Sequence, residues 1–177
     1  MENRKPISTI VAGLIIAGAL IVISTVFSLM GDSTSRPGGG WLSYLIIIAG
    51  LVLFINLYGK SQNHYVKFGD LFSYGFKATA MMTLVFLIFI VVLSLIYPEM
   101  KEKALEAARI EMEKQNNMND SDIDKGVELM EKYFWVFMGG ATMLGFLIIG
   151  CIGSLIGADV TKKVPKDQMN QLDHLDS

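Results

Sequence analysis

Four long apolar runs without any charged side chain decide what this chain can fold into. They occupy about residues 7–30, 41–58, 78–97 and 134–158, and even the shortest has 18 residues. A helix rises about 1.5 Å per residue, so about 20 residues cross the roughly 30 Å hydrocarbon core of a bilayer. A membrane β-strand needs only about 10 residues and alternates polar with apolar side chains, a pattern that these runs lack. The runs therefore predict an all-α integral membrane protein with a four-helix bundle.

Composition narrows the classes that remain. Hydrophobic residues make up 52% of the 177 residues, charged residues make up 18%, and the net charge is −2. This balance gives no sign of a nucleic-acid partner. The single cysteine, Cys151, excludes an intramolecular disulfide and a cysteine-based metal cluster. The first run is longer than the roughly 7–15-residue core of a signal peptide, so we expect it to remain as a span.

Residues 98–132 form the one sizeable segment between spans, and they hold ten acidic and six basic residues. Strong helix formers dominate their first half. Ser121 and Asp124 resemble a capping box that starts a second helix. We expect an extramembrane helical hairpin between the third and fourth spans. An apolar stripe indicates that its second helix continues into the fourth span; this stripe comprises Ile123, Val127, Met130 and Phe134.

Residues 68–77 precede the third run and read as an amphipathic helix. Wound at 100° per residue, they carry the phenylalanines on one side and Asp70, Ser73, Tyr74 and Lys77 on the other. This pattern is typical of a helix lying at the membrane surface, a ramp into the third span. Asp70, Tyr74 and Lys77 are candidates for contact with a lipid headgroup or a partner. The alternative, that they simply face water, stays open.

The fourth run is rich in glycine. Gly153 and Gly157 form a GxxxG motif, and Gly145 follows Ala141 at the same spacing. Small residues at this spacing let helices approach closely in lipid. Gly145, Gly153 and Gly157 are therefore candidates for helix packing within the bundle or for a homo-oligomer contact.

Within the four runs, Asn56 is the most polar side chain, and no Asp, Glu, Lys, Arg or His occurs. Proton-driven exporters, pumps and voltage sensors need ionisable groups inside the bilayer, so their absence argues against these classes. We interpret Asn56 and the hydroxyls of Thr25, Thr83, Ser94 and Thr142 as structural groups that bond across helices or back to their own carbonyls, rather than as a permeation path. No P-loop, zinc-protease or serine-hydrolase motif occurs, and His64 and His174 lie far apart. We therefore predict a protein that is not an enzyme and has no cofactor or metal.

Basic residues predict the orientation. Arg4 and Lys5 precede the first run, and a tail at 161–177 carries three more lysines. Lysine and arginine near the ends of spans mark the cytoplasmic side. Both termini are therefore predicted to be cytoplasmic.

The order of these segments resembles a known family. The resemblance rests on the "VKFGDLFSYGFKA" ramp, a third span ending in "IYPEM", the charged "KALEAARIEMEKQ" helix and "KKVPK" after a glycine-rich last span. Together they are similar to the domain of unknown function numbered 4199, small four-span proteins of Gram-negative inner membranes. The resemblance implies an inner-membrane location and carries no assigned activity or catalytic residue.

These observations favour a non-enzymatic association or scaffold module whose partners are the lipid bilayer, a second copy of itself or another envelope protein. The alternative is an oligomeric small-solute channel or transporter component, in which Asn56, Thr83 and Thr142 share one face. A third hypothesis, a lipid-modifying enzyme, requires the polar side of residues 68–77 to converge with a second acid or a histidine.

Overall fold

The computed structural model describes residues 6–29, 39–114 and 119–164. These residues form six helices: α1 Thr9–Leu29, α2 Gly39–Ser61, α3 Phe68–Ile96, α4 Glu99–Lys114, α5 Asp120–Lys132 and α6 Phe134–Val160. Four of them, α1, α2, α3 and α6, are long and apolar enough to cross a membrane. The all-α prediction with four spans and an intervening pair of helices is therefore confirmed. Arg4 and Lys5, as well as residues 165–177 of the predicted tail, lie outside the described ranges.

The chain divides into two compact units. Unit 1 takes residues 1–85 and 146–177, and unit 2 takes residues 86–145. Helices α1 and α2 belong to unit 1, helices α4 and α5 belong to unit 2, and α3 and α6 contribute to both.

Glycines bring the helices of unit 1 together. The Ile16 side chain of α1 packs on Gly50 of α2, where a Cβ would lie 3.0 Å from its Cγ1 atom. Gly13 lets α1 approach α3, because a Cβ at Gly13 would lie 2.7 Å from the Ala78 carbonyl oxygen. On α3, buried residues recur at helical spacing, from Leu71 through Ala78 to Met82. One buried stripe therefore extends from the start of α3 to its middle.

This stripe corrects the predicted boundary between the ramp and the third span. Residues 68–77 and 78–97 were expected as two elements, but α3 runs without interruption from Phe68 to Ile96. The physical reason is that no Gly-Pro break separates them and the packing face continues past Lys77.

The loop between α2 and α3 is closed by local backbone hydrogen bonds. The His64 N–H donates to the Gly59 carbonyl at 2.8 Å, and the Asn63 N–H donates to the Lys60 carbonyl at 3.0 Å. Asn63 adopts a left-handed φ of 52°. This pattern is a Schellman motif with asparagine in the position that glycine usually takes. It turns the chain back so that α3 starts four residues later.

In unit 2, α4 and α5 form a hairpin around a small apolar contact. Ile123 is buried, and the Met112 sulfur lies 3.3 Å from the position of a Cβ at Gly126. The Arg109 guanidinium joins the two helices, bonding Glu113 on its own helix at 3.2 Å and Asp124 on α5 at 2.8 Å. These carboxylates raise the pKa of Arg109 above its ordinary value, the Glu113 hydrogen bond being the larger cause.

Two local expectations for this hairpin are wrong. Asn119, rather than Ser121, is the N-cap of α5, because its side-chain oxygen accepts the Asp122 N–H at 2.9 Å. Asparagine is among the best N-cap residues, so it takes the position when it comes first. The second helix also stops before the fourth span: Tyr133, with φ −112° and ψ 28°, separates α5 from α6. Its ψ departs from the helical value near −42°, which breaks the helical path.

Candidate functional site

The glycine motif of α6 packs against α2 of the same chain. A Cβ at Gly153 would lie 3.0 Å from the Leu51 Cδ1 atom, and one at Gly157 would lie 2.6 Å from the Ile55 Cδ1 atom. Both glycines are buried. Of the two roles predicted for Gly153 and Gly157, the structure thus places them in packing within the chain. Gly145 differs, since a Cβ there meets no described atom within 4 Å.

Two facing pairs of small residues, which the sequence analysis did not single out, join α3 to α6. Gly75 and Thr79 of α3 face Ser154 and Gly150 of α6 in antiparallel order. A Cβ at Gly75 would lie 2.9 Å from the Ser154 Cβ, and a Cβ at Gly150 would lie 2.8 Å from the Thr79 Cβ. The spacing of four between the small residues on each helix was the available signal.

Several serine and threonine hydroxyls of the spans bond to carbonyls of their own helices. Thr79 donates to the Gly75 carbonyl at 3.0 Å, and Ser154 donates to the Gly150 carbonyl at 2.6 Å. Thr83, Thr25, Ser94 and Thr161 likewise donate to the carbonyl four residues earlier. Their donors are therefore satisfied without any bond across helices, which is the second of the two arrangements predicted for Thr25, Thr83 and Ser94.

The three candidate contact residues within 68–77, which are Asp70, Tyr74 and Lys77, differ in exposure and in their bonding partners. Asp70 is exposed, and its carboxylate accepts the Lys67 N–H at 3.1 Å, which stabilises the first turn of α3. Tyr74 is buried rather than on a polar face: its hydroxyl donates to the Ile7 carbonyl at 2.9 Å. Its ring stacks on Tyr58 with the ring centroids 4.4 Å apart.

Lys77 is exposed, and no described residue pairs with it. On a helical projection it lies opposite the buried stripe of α3. Asp70 and Lys77 therefore share the outer side of α3 while Tyr74 anchors the start of α1. The three side chains do not form one polar cluster, although headgroup contact by Asp70 and Lys77 stays a prediction.

The segment after α6 binds the α2–α3 loop. The His64 Nδ1 atom lies 2.9 Å from the Lys162 carbonyl oxygen, and the Val164 N–H donates to the His64 carbonyl at 3.0 Å. The Lys163 ammonium lies 5.5 Å from the centre of the Phe68 ring. The contact joins residues that are 98 positions apart, and no local sequence pattern indicates it. It places the chain after α6 at the same end of unit 1 as the loop.

One groove of unit 1 contains the most polar side chain of the spans. It follows a single stripe of α2 and has a volume of about 580 Å³; its lining residues are Ala49, Val52, Leu53, Asn56, Leu57 and Lys60. Asn56 is half-buried here, and no residue in the described ranges bonds its amide. The amide therefore does not link two helices within the described part of the chain.

The described residues do not form a candidate metal site. No three His, Cys, Asp or Glu side chains of the ranges 6–29, 39–114 and 119–164 come together as ligands.

Comparison with known proteins yields one finding. No curated protein and no solved structure matches the chain. The model of one family, described as "Protein of unknown function (DUF4199)", matches residues 12–163. This match covers all four candidate spans almost entirely, together with the hairpin between the third and fourth. The chain therefore belongs to the DUF4199 family.

Proposed function

We propose that this protein is a non-enzymatic association module of the bacterial inner membrane, which binds another envelope protein through the α4–α5 hairpin. One observation carries the proposal. The described serine and threonine hydroxyls that donate within the spans do so to their own helices, and neighbouring helices of the same chain pack against Gly150, Gly153 and Gly157. Because these hydroxyls and glycines already take part in contacts within the chain, the surfaces outside the spans are the better candidates for binding a partner.

The same packing gives little support to a solute path through unit 1. Thr83 is buried and bonded to the Thr79 carbonyl, whereas Asn56 lies in the outward groove of α2. A polar path needs such groups on one continuous surface. These two side chains do not share one.

Charge makes the hairpin a candidate contact surface. Residues 98–132 carry ten acidic and six basic side chains. Five exposed acids form no ion pair with any described residue; they are Glu102, Glu106, Asp120, Asp122 and Glu128. An acidic surface attracts a partner with a basic surface and disfavours a second acidic copy. The proposed partner is therefore a different protein with a basic face.

Photocrosslinking in intact cells tests this assignment. A photoreactive residue in place of Glu106 should give a discrete adduct heavier than the monomer. The same residue in place of Leu84, an exposed apolar position on α3, is the control and should give none. Glu102→Gln combined with Asp122→Asn should weaken the adduct from position 106, since the attraction is electrostatic.

Two results contradict the proposal. One is the absence of a discrete adduct at position 106. The other is an adduct of twice the monomer mass, because that would mean two acidic hairpins contact each other.

Orientation is part of the proposal: the hairpin faces the periplasm and both chain ends face the cytoplasm. Its support is that Lys60, Lys67 and Lys162 all belong to the end of unit 1 where the loop meets the segment after α6. Basic residues at the ends of spans favour the cytoplasm. In a Cys151→Ser background, a membrane-impermeant thiol reagent should label Glu106→Cys from outside the cell and leave Gln62→Cys unlabelled. The opposite pattern refutes the orientation.

A further inference from the structure

The groove on α2 is open and shallow, and all its lining residues lie on one face of this helix. Its volume of about 580 Å³ is that of a surface groove rather than of an enclosed pocket, so it suits a ligand that lies along the helix. Its lining positions recur every three or four residues from Ala49 to Lys60, so they form one stripe of the helix. Between these two residues the stripe is about 16 Å long, at about 1.5 Å per residue.

Polarity changes along this stripe. Ala49, Val52 and Leu53 line the end towards the middle of α2, whereas Asn56 and Lys60 line the end near the α2–α3 loop. No residue in the described ranges bonds the Asn56 amide or pairs with the Lys60 ammonium. The groove thus has an apolar half and a half that offers hydrogen-bond donors and a positive charge.

Contacts in unit 1 place the polar half at the membrane surface. Ile55, next to Asn56, packs on Gly75, and the neighbouring Tyr74 bonds the Ile7 carbonyl just before α1 begins. The first N–H groups of a helix lack partners within it, so the start of α1 belongs in the polar zone of the membrane. Asn56 is therefore near the boundary between the hydrocarbon core and the headgroups, and Lys60 is one helical turn further out. From Asn56 to Ala49 the stripe runs about 10 Å further inward, at about 1.5 Å per residue, which is roughly two thirds of one leaflet of the roughly 30 Å core.

We propose that this groove binds one phospholipid with an anionic headgroup. The Lys60 ammonium faces the headgroup phosphate, the Asn56 amide donates to an ester carbonyl oxygen, and an acyl chain lies along Leu53 and Ala49. Both polar groups then gain partners, whereas an apolar helix of a second copy seated in the groove leaves both without any. The inference is independent of the hairpin partner, since it uses only residues of α2.

Native mass spectrometry of the intact purified protein tests this site. The probes are phosphatidylglycerol, which is anionic, and phosphatidylethanolamine, which is zwitterionic, offered at equal concentration. The protein should retain phosphatidylglycerol preferentially. Lys60→Gln should lower that retention about fivefold, the factor expected when one basic residue that faces an anionic headgroup is removed.

Two further variants complete the design. Asn56→Leu should lower the retention of both lipids, because the ester contact is common to them. Lys77→Gln is the matched control: it removes an exposed lysine of α3 that does not line the groove, and it should leave retention unchanged. Thermal unfolding of each variant without added lipid confirms that it is folded.

Three results overturn the inference. If the two lipids are retained equally and Lys60→Gln does not change this, the bound lipid is ordinary surrounding lipid and not the occupant of a site. A dimer in the same spectra that Lys60→Gln and Asn56→Leu abolish means that a second copy occupies the groove. A rise in lipid retention after deletion of residues 165–177 means that the chain's own end occupies it.

Discussion

Gly150→Ala tests the packing of α3 against α6. A Cβ at this position would lie 2.8 Å from the Thr79 Cβ and would also overlap the Thr79 methyl group. Carbon atoms in contact prefer about 3.5–4.0 Å, so the two helices must separate by roughly 1 Å to admit one methyl group. Gly145→Ala, on the same helix, is the matched control, because its Cβ meets no described atom within 4 Å.

The magnitude follows from two opposing effects. Overpacking of a tight contact costs typically about 1–3 kcal/mol, whereas alanine gains about 1 kcal/mol over glycine in helix propensity. Gly150→Ala should therefore lower the free energy of unfolding by about 0–2 kcal/mol, and Gly145→Ala should raise it by up to about 1 kcal/mol. The difference between the two variants, about 1–3 kcal/mol, isolates the steric cost because the propensity gain is common to both.

The assay is unfolding of the purified protein in mixed micelles by increasing dodecyl sulfate, followed by circular dichroism. Thr79→Ala removes two of the atoms that lie nearest the new methyl group, so Gly150→Ala should cost less in that background than in the natural chain. Equal stability of Gly150→Ala and Gly145→Ala refutes the close approach of α3 and α6. Full additivity of Gly150→Ala with Thr79→Ala assigns the cost to another contact.

Further predictions concern the hairpin and the start of α1. Ile123→Ala should destabilise the hairpin by about 2–3 kcal/mol, whereas exposed Leu129→Ala should have little effect; proteolysis between α4 and α5 reports the difference. Asn119→Ala should cost about 1 kcal/mol of protection in the first turn of α5, measured by hydrogen exchange, and Ser121→Ala should leave that protection unchanged. Tyr74→Phe should lower the unfolding free energy by about 0.5–1.5 kcal/mol, because the carbonyl before α1 loses its donor; an unchanged unfolding midpoint contradicts this.

The packing also changes how self-association must be tested. A large side chain at Gly153 or Gly157 would collide with α2 of the same chain, so a lost oligomer in such a variant would not be separable from a fold defect. Gly145→Leu is the cleaner variant for that purpose. The prediction that Gly145 contributes to an oligomer contact stays testable at this position alone among the three glycines.

The spans and the hairpin follow directly from the amino-acid pattern. Whether a segment crosses a bilayer depends on the length of its apolar run against a fixed hydrocarbon thickness, which is a local property. The hairpin is equally local, because the run of charged helix formers between two spans and the asparagines that interrupt it are contiguous. The start of α3 was also predictable from the sequence, because Asp70 lies in its first turn, where an acidic side chain is favourable.

Folding in three dimensions settles which face of each span is inside. In water, apolar periodicity marks the buried face, but lipid chains are as apolar as leucine, so a span is apolar on every side. Gly145 and Gly150 look alike in the sequence, yet only Gly150 meets a neighbouring helix within 4 Å among the described residues. Tyr74 sits inside for the same reason: its partner, the Ile7 carbonyl, is 67 residues away. Close approach of distant backbones, rather than hydrophobicity, selects the buried face here, and that distance information exists only in the folded chain.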